Sequence, residues 1–288
     1  MQKCSNEGTK NQPTDVIASN LKPEEIEKIS CPPKVTEFQR QKLDKDSKKN
    51  WDLFYKRNGD RFFKNRYWTK HEFSELFQLK AGETNYLLEI GCGCGDFVLP
   101  LLENADQPHG DDVRIPDNLF IYCCDISDQA IRLLKDNPMY IKHNSIRISA
   151  FSADVSEPID LRRLCDNNYV DLVSLIFVLS AIDPRKMSTA VSNIYQVLKP
   201  GGLVLFRDYA VFDKAMLRFK EKSKICDNLY VRQDGTRAYF FSEDTLIDLF
   251  RKANFNVESL EQVHRETVNK STGDKFSRIF LQAKFRKP

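Results

Sequence analysis

The stretch LLEIGCGCGD, residues 87–96, decides the fold of this 288-residue chain. A short apolar run passes directly into a loop that contains Gly91, Gly93 and Gly95, and the loop passes into the helical pattern DFVLPLLE. Glycines let the backbone turn sharply and let a ligand lie against the main chain. In open α/β sheets ligands bind at the carboxyl ends of strands, so the stretch predicts a first strand followed by a ligand-binding loop.

Apolar runs and helical patterns alternate after this loop. The runs LFIYCCDI, SIRISAFSADV, VDLVSLIFVLS and LVLFRDYA follow in order, with helical patterns between them. Five strands with intervening helices predict a doubly wound parallel α/β sheet. After the helical pattern SEDTLIDLFRKANF, two long strand patterns predict an antiparallel hairpin that finishes the sheet. An insertion of mixed character occupies residues 211–240.

The residues before the sheet divide into two parts. Residues 1–35 are polar and lack hydrophobic periodicity, so we expect a disordered tail with one helical turn at PEEIEK, and we expect removal of residues 1–30 to cost little. Residues 36–80 are expected to form a helical, basic and aromatic extension, which begins with one amphipathic helix from Thr36 to Tyr55. The main domain then covers residues 81–288.

The overall composition excludes several classes of protein. Hydrophobic residues make up 41% and charged residues 30%, which is typical of globular proteins and excludes collagen-like or wholly disordered chains. No run approaches the roughly 18 apolar residues of a membrane-spanning helix, so we expect no membrane association. The first thirty residues contain acids and no apolar signal segment, which predicts the cytoplasm, with the nucleus as the alternative. Eight cysteines without a C-x-x-C pair predict reduced thiols and no metal site.

The glycine loop indicates what kind of ligand it holds. A dinucleotide site needs G-x-G-x-x-G to hold pyrophosphate at a helix N-terminus, whereas here G-x-G-x-G is followed by Asp96, whose charge repels phosphate. A cationic sulfonium ligand, S-adenosylmethionine, meets this condition, with Glu89 supplying further negative charge and Gly91 and Gly93 bordering the ligand. The alternatives are a plain tight turn between strand and helix, or an NAD-dependent oxidoreductase.

Carboxylates also end the next two predicted strands. Asp125 can accept both ribose hydroxyls of the cofactor, as acidic residues do at this point of related α/β sheets. Asp154 can accept from the adenine amino group, and the neighbouring Val155 can pack against the ring. Each acid alone is equally well explained as a strand-end cap, but acids after successive strands, beyond a glycine loop, favour a cofactor site.

Charge is distributed unevenly along the chain. Residues 1–70 carry 16 Lys/Arg and 10 Asp/Glu, residues 71–204 carry 11 and 19, and residues 205–288 carry 17 and 12. The segment from Arg40 to Lys70 combines eleven basic residues with several aromatic ones, a pattern typical of proteins that bind looped or single-stranded nucleic acid. We expect Lys64 and Arg66 to contact RNA phosphate. The alternative is a helix face that packs its aromatic rings on the core.

Read in order, LLEIGCGCG, LIFVLSAIDP, LKPGG, FRDYA, MLRF, YVRQDGTRAYFF and RETVNK resemble the tRNA 3-methylcytidine methyltransferases, over roughly residues 36–288. NWDLFYKRN and YVRQDGTRAYFF are the most specific of these motifs, and RETVNK is similar to the branch that acts on serine tRNAs. The resemblance implies a Rossmann-like class I methyltransferase fold and transfer of a methyl group from S-adenosylmethionine to N3 of a cytidine in the anticodon loop, position 32. It also implies the cofactor-contacting positions Trp51, Tyr55, Gly91, Asp125, Asp154, Val155 and Ile176.

The proposed chemistry suggests residues for the reaction. Cytosine N3 has an in-plane lone pair and needs no general base, but positive charge develops on the ring as the methyl group is transferred. We therefore expect Asp208 beside the base, Tyr209 stacking on it or bonding to it, and Arg207 on a phosphate. The alternative is a buried Arg207–Asp208 pair that closes the strand.

Further basic residues and partners complete the expectations. Arg232 and Arg237, at a predicted turn, and Arg265 in RETVNK are candidates for gripping the anticodon stem-loop of tRNA, the alternative being solvated arginines. The resemblance allows seryl-tRNA synthetase as a partner. A catalytically silent cofactor-binding scaffold for tRNA remains the non-enzymatic alternative.

Overall fold

The computed structural model describes residues 21–106, 115–268 and 275–288. The helices are α1 (Pro23–Ser30), α2 (Glu37–Lys45), α3 (Ser47–Asn58), α4 (Thr69–Glu72), α5 (Val98–Asp106), α6 (Asp128–Lys135), α7 (Pro138–His143), α8 (Leu161–Leu164), α9 (Pro184–Val197), α10 (Lys214–Arg218) and α11 (Glu243–Lys252). The strands are β1 (Asn85–Ile90), β2 (Leu119–Asp125), β3 (Ile148–Ser152), β4 (Val170–Ile176), β5 (Leu198–Tyr209), β6 (Lys224–Cys226), β7 (Leu229–Val231), β8 (Arg237–Tyr239), β9 (Asn256–Val268) and β10 (Lys275–Arg286). None of the helices in these ranges has the length and apolar character that a bilayer crossing requires.

Seven strands form the central sheet, in the order β3-β2-β1-β4-β5-β10-β9. The first five strands pair in parallel, and β10 pairs antiparallel with both β5 and β9. The predicted fold class, a Rossmann-like sheet with a C-terminal antiparallel hairpin, is confirmed. The strand order reverses between β1 and β4, so the loops after these two strands open a crevice at the carboxyl end of the sheet.

Successive side chains of the central strands enter two different cores. Leu203 and Leu205 pack in one cluster, beneath α5 and the segment before β1, whereas Val204 and Phe206 pack in the other, beneath α9 and α11. This alternation follows from the pleat of a strand, which sends neighbouring side chains to opposite faces. The two-sided burial explains why the sheet strands read as continuous apolar runs.

Between Thr36 and Tyr55, where the sequence predicts one helix, the structure has α2 and most of α3. Thr36 caps α2 by accepting a hydrogen bond from the Gln39 amide at 3.2 Å, while the Gln39 side chain accepts from the Thr36 amide at 2.9 Å. Asp46 ends α2 and begins α3 with non-helical backbone angles (φ −87°, ψ 4°). The change of direction at Asp46 lets α2 and α3 contact different parts of the molecule.

Buried charges join the extension and the insertion to the sheet domain. Asp183, the N-cap of α9, is 1% exposed and accepts hydrogen bonds from Arg40 of α2 at 2.7 and 2.9 Å. Although burial raises it, the hydrogen bonds from Arg40 and Arg185 hold the pKa of Asp183 well below its usual value. Arg237 of β8 pairs with Asp44 of α2 at 3.0 Å. These ion pairs fix α2 against both α9 and the small sheet β6-β7-β8 of the insertion.

The expected helical turn at PEEIEK lies within α1, but the expectation of disorder around it is wrong for residues 21–35. Residues 1–20 lie outside the described residues. Pro23–Ser30 form α1, which packs against the insertion. The ammonium group of Lys224, almost fully buried, donates to the carbonyls of Ile29 and Cys31, each at 2.6 Å. Ile29 also joins the apolar cluster around Met216. Helix α1 has only eight residues and, apart from Ile29, adds few apolar side chains to the core. Its sequence therefore lacks the hydrophobic periodicity that would predict a packed helix.

We therefore predict that removal of residues 1–31 lowers the free energy of unfolding by about 1–3 kcal/mol, since the buried Lys224 ammonium loses two carbonyl acceptors. Removal of residues 1–20 keeps these contacts and is the matched control. Urea denaturation of the two truncated proteins measures the difference. Equal stability of the two would contradict the contribution of α1.

Candidate active site

A cavity of about 570 Å³ lies at the carboxyl end of the sheet, beneath the extension and the insertion. The loops after β1, β2, β3, β4 and β5 contribute its floor, α3 and the segment 62–66 one wall, and residues of α10 and the insertion the other wall. Its volume is in the range of small-molecule and cofactor sites. The cavity thus joins the three parts of the chain at the switch point of the sheet.

The glycine loop allows the chain to approach itself closely. Gly91 and Gly93 have φ values of 65° and 54°, in the left-handed region that favours glycine. A Cβ at Gly91 would lie 2.4 Å from Val178, and a Cβ at Gly93 would lie 2.6 Å from the hydroxyl oxygen of Tyr55. Both glycines border the cavity, as predicted, and neither tolerates a side chain.

Asp125 is held between the glycine loop and the next helix. Its Oδ2 accepts from the Gly93 amide and its Oδ1 from the Ser127 amide, both at 2.9 Å. Burial raises the pKa of Asp125 to about 6, although these two amides oppose the shift. The carboxylate borders the cavity with its orientation fixed by backbone donors, which suits it to accept hydrogen bonds from a ligand diol.

The remaining predicted cofactor positions fall into two groups. Asp154 and Val155 line the cavity next to Asp125, and Asp154 accepts from the Ser156 amide at 2.9 Å. Trp51 and Tyr55 line it from α3, with ring centroids 6.1 Å apart. The structure brings these four residues together with Gly91, Gly93 and Asp125.

Glu89 and Ile176 do not line the cavity, and their direct contact with the cofactor stays a prediction. Glu89 is 2% exposed, burial raises its pKa well above the usual value, and its Oε2 has no hydrogen-bond partner among the described residues. Ile176 packs into the core cluster beneath α5. The charges that act on Glu89 are those of Arg66, Asp96 and Asp125, which line the cavity. Phe177, one residue after Ile176, borders the cavity.

Aromatic rings and arginines form the other half of the cavity. Tyr209 lies with its ring centroid 5.1 Å from Phe177 and 5.7 Å from Phe240. The guanidinium groups of Arg232 and Arg278 lie 5.9 and 5.6 Å from the centre of the Tyr209 ring. Flat rings beside guanidinium groups are the usual surroundings of an unstacked base.

Asp208 is not placed for the direct contact with a base that the sequence predicts. Its side chain is fully buried, and its carboxylate accepts from the amides of Ser180 and Tyr209, each at 2.9 Å. Burial raises the pKa of Asp208 to about 6. Ser180 and Tyr209 border the cavity, whereas Asp208 does not. Asp208 therefore holds the backbone of two wall residues.

Arg207 and Arg237, expected to contact phosphate, are both buried. The guanidinium group of Arg207, 3% exposed, lies 4.1 Å from the Trp68 ring centre and 3.4 Å from Glu72. Arg207 and Asp208 point to opposite faces of β5, so the alternative of a pair between them is wrong. Arg237 borders the cavity but is 5% exposed and paired with Asp44.

The other predicted RNA contacts are accessible. Lys64 is exposed, and Arg66 lines the cavity with its guanidinium group 5.6 Å from the Phe177 ring centre. Arg232 lines the opposite wall. Arg265 of β9 is exposed and paired with Glu72. These four side chains are therefore available for a polyanion near the cavity or on the adjacent hairpin.

Several cavity residues were missed by the sequence analysis, Phe177 above all. It has a φ of 60°, which is rare for a bulky residue, and its amide donates to the Arg207 carbonyl at 2.7 Å. Phe240 and Arg278 lie on the insertion and on β10, more than 100 residues from the glycine loop. The motif YVRQDGTRAYFF contains Phe240, so that motif carried a signal for this wall.

The cofactor half fits S-adenosylmethionine. The carboxylate of Asp125 faces a cavity bordered by side-chain-free Gly91 and Gly93, with Asp96 close to the loop. Carboxylates in this position accept hydrogen bonds from a ribose diol and attract a cation, whereas they repel a pyrophosphate. In the described part of the chain, no three His, Cys, Asp or Glu side chains cluster as metal ligands.

Known proteins resemble this chain in sequence and in fold. A protein-family model described as a methyltransferase domain matches residues 54–260. The human tRNA N(3)-cytidine methyltransferase METTL6 is 48% identical over 88% of this chain and 85% of its own length. The tRNA N(3)-methylcytidine methyltransferase trm141 of Schizosaccharomyces pombe is 38% identical over 88% of this chain and 98% of its own length. The Drosophila melanogaster protein named tRNA N(3)-methylcytidine methyltransferase Mettl2 is 38% identical over 87% and 74%.

Solved structures are similar in fold. A SAM-dependent methyltransferase from Anabaena variabilis aligns with a TM-score of 0.59 at 12% identity, over 83% of this chain and 94% of the other. The 1,6-didemethyltoxoflavin-N1-methyltransferase of Burkholderia thailandensis, solved with S-adenosylhomocysteine, aligns with a TM-score of 0.53 at 16% identity, over 89% and 92%. At these identities the likeness shows the fold alone.

The raised pKa of Asp125 predicts how cofactor affinity depends on pH. If the ionised carboxylate accepts ligand hydroxyls, affinity for S-adenosylhomocysteine is full above pH 6 and falls as the pH drops through that value, with a roughly tenfold higher Kd at pH 5. Isothermal titration calorimetry between pH 5 and 8 measures this.

The control for this pH dependence is Asp125→Asn, whose Kd should be higher and nearly independent of pH over the same range. The pKa of Asp125 is higher in the folded than in the unfolded protein, so protonation of Asp125 stabilises the folded state. A loss of affinity at low pH therefore does not arise from unfolding caused by protonation of this residue. A flat profile for the unchanged protein would contradict the role of the Asp125 charge.

Proposed function

The chain belongs to the tRNA N(3)-cytidine methyltransferase family, and on that basis we propose that its target is the cytidine at position 32 in the anticodon loop of serine tRNAs. It is an S-adenosylmethionine-dependent methyltransferase that acts on N3 of cytidine in tRNA. The observation that carries this function is a single cavity with a carboxylate half, centred on Asp125, and an aromatic and arginine half, centred on Tyr209.

The reaction needs a base removed from pairing and held against the cofactor. S-adenosylmethionine supplies an electrophilic methyl group on its sulfonium. Cytosine N3 lies on the Watson–Crick edge, so the base must leave the stack before N3 can attack. Tyr209 and Phe240 offer ring faces for the flipped base, and Phe177 closes the gap between the two halves of the cavity. These rings exclude water from the reacting atoms.

Asp208 is proposed to act through the residues that it holds. It accepts from the amides of Ser180 and Tyr209, so its loss would leave two buried amides unpaired next to the base. This role replaces the direct electrostatic contact expected from the sequence. Tyr209, which does border the cavity, is the residue of this pair proposed to touch the substrate.

Four basic residues are proposed to hold the RNA backbone. Arg66 and Arg232 stand on opposite walls of the cavity, Lys64 lies two residues before Arg66, and Arg265 lies on the hairpin. Phosphate neutralisation by such side chains supplies most of the affinity of proteins for nucleic acid. Loss of any one should weaken tRNA binding more strongly at low salt than at high salt.

The two alternatives from the sequence have less support. The similarity extends over most of the length of relatives that are named as methyltransferases, which argues against a catalytically silent scaffold. An NAD-dependent oxidoreductase is disfavoured because Asp96 borders the glycine loop where a pyrophosphate would lie.

The proposals for the tRNA set and the partner protein rest on which named relatives are most similar in sequence. Serine tRNAs are proposed because identity to the METTL6 relative, 48%, exceeds identity to the Mettl2 relative, 38%, and because RETVNK resembles the serine-tRNA branch. For the same reason we propose seryl-tRNA synthetase as a partner. We propose the cytoplasm as the location, with the nucleus as a second one, since tRNA is present in both.

We predict that Tyr209→Ala lowers kcat/KM for tRNA about 5- to 150-fold, the loss that one base–aromatic stack accounts for. Its Kd for S-adenosylhomocysteine should stay within about twofold. Tyr209→Phe keeps the ring and is the matched control, expected to retain most activity. Methyl transfer from labelled cofactor measures the rates, and normal turnover by Tyr209→Ala would contradict a stacking role.

The proposed function predicts the modified nucleoside directly. In cells that lack this protein, mass spectrometry of purified tRNAs should show loss of 3-methylcytidine at position 32 of serine tRNAs, with the other tRNAs unchanged. Re-expression of the unchanged protein should restore the nucleoside, whereas Asp125→Asn should restore less. Unchanged 3-methylcytidine in serine tRNAs, with loss in another tRNA, would overturn the serine assignment alone.

A further inference from the structure

Helix α3 has two functional faces. Ser47, Trp51, Phe54 and Tyr55 line the cavity, at the spacing of one face of a helix. Asp52 does not line it. The Asp52 side chain instead contacts the first turn of α6, the helix that follows the cofactor carboxylate.

Asp52 caps that helix from outside. Its Oδ1 accepts from the Ser127 hydroxyl at 2.7 Å and from the Gln129 amide at 3.0 Å. The hydroxyl of Ser127, the N-cap residue, accepts in turn from the Ala130 amide at 3.1 Å. Two first-turn amides of α6 are therefore satisfied, one by the helix itself and one by α3. A carboxylate at a helix N-terminus is also favoured by the helix dipole.

Ser127 connects this cap to the cofactor carboxylate. The Ser127 side chain is fully buried, and its amide donates to Asp125 Oδ1 at 2.9 Å. The other oxygen of Asp125 accepts from the Gly93 amide. A continuous series of hydrogen bonds thus runs from Asp52 through Ser127 and Asp125 to the glycine loop.

The neighbouring Lys48 contributes a weaker contact. Its ammonium lies 2.7 Å from Asp128, and both side chains are about half exposed, at 47% and 56%. Exposed ion pairs of this kind add little to stability. Lys48 also donates to the Ile126 carbonyl, just before α6, at 3.0 Å. Of these contacts, the bond from Ser127 to Asp52 is the one that involves a fully buried side chain at the start of α6.

We propose that Asp52 is a positioning residue for the cofactor: it fixes Ser127, and through it Asp125, while holding α3 so that Trp51 and Tyr55 close the cavity. Asp52 itself does not touch the cofactor. The proposal rests on cofactor binding in this cavity and is independent of which RNA is methylated.

Calorimetric titration with S-adenosylhomocysteine tests the proposal. Asp52→Ala should raise the Kd about 2- to 30-fold, the range that follows from loss of a helix N-cap contact. Asp52→Asn keeps an acceptor oxygen for Ser127 and Gln129 and should stay within about threefold of the unchanged protein. An Asp52→Asn protein as weak as Asp52→Ala would overturn the hydrogen-bond account.

Asp160→Ala is the matched control. Asp160 caps α8 by accepting from the Arg163 amide at 3.2 Å, and it does not line the cavity. The Asp160→Ala variant should lower the melting temperature about as much as Asp52→Ala does, and its Kd for S-adenosylhomocysteine should be unchanged. If both variants raise the Kd equally, the effect is general destabilisation and the proposal fails.

A double-mutant cycle isolates the Asp52–Ser127 bond. Ser127→Ala removes the same bond from the other side and decides the question if Asp52→Ala does not fold. Each single variant also loses a separate contact, with the Gln129 amide or the Ala130 amide, but the shared bond is lost only once. The Kd of the double variant should therefore rise clearly less than the product of the two single effects. A Kd rise equal to the product of the two single effects would show independent roles and overturn the proposal.

Steady-state kinetics provides a second readout. A positioning role predicts that Asp52→Ala raises KM for S-adenosylmethionine by the factor seen in the Kd, while kcat at saturating cofactor changes less than about threefold. A fall in kcat with unchanged KM would overturn it. Failure of the unchanged protein to bind S-adenosylhomocysteine would overturn the cofactor assignment and this inference with it.

Discussion

The hydrogen bond from the Gly93 amide to the Asp125 carboxylate is the contact on which the rest of the cavity depends. It joins the loop after β1 to the end of β2. Gly93 has a positive φ at this point, and the Tyr55 hydroxyl leaves no space for a Cβ on it. Because Tyr55 belongs to the extension, the cofactor half is completed only when α3 lies on the sheet. The extension is therefore part of the site and not an appendage to it.

Basic residues serve two different purposes in this molecule. Arg40, Arg207 and Arg237 lie inside it, paired with carboxylates or stacked on Trp68, and they join the extension and the insertion to the sheet. Arg66, Arg232 and Arg278 border the cavity beside aromatic rings. Buried pairs are costly to break, since removal of one partner leaves the other charge without solvent. The positive charge of the sequence is thus divided between buried ion pairs and the residues that are proposed to bind RNA.

The sequence predicted the parallel sheet, its hairpin and the glycine loop, because long apolar runs and glycine spacing survive errors of one or two residues. Many predicted side chains do line the cavity, among them Trp51, Tyr55 and Asp125. Others could not be placed from the sequence, because neighbouring side chains of a strand point to opposite faces and an error of one residue reverses the direction. The sequence predicts a cofactor contact for Ile176, whereas its neighbour Phe177 borders the cavity. It also predicts that Asp208 faces the base, whereas the Asp208 carboxylate accepts hydrogen bonds from two backbone amides. Lys224 offered no pattern at all, since its partners are carbonyl groups almost 200 residues away.

The separation in sequence between the extension and its partners has a consequence for synthesis of the chain. α2 and α3 leave the ribosome first, but Asp183 and Arg237, which hold α2, follow about 140 to 190 residues later. At roughly 5–20 residues per second, this interval is on the order of 10–40 s. Phe54 and Tyr55 also wait for their partners, because Cys94 and Ala130, with which they pack, follow about 40 to 75 residues later. The nascent extension is thus a candidate client for chaperones that shield aromatic side chains until the strands that α3 covers emerge.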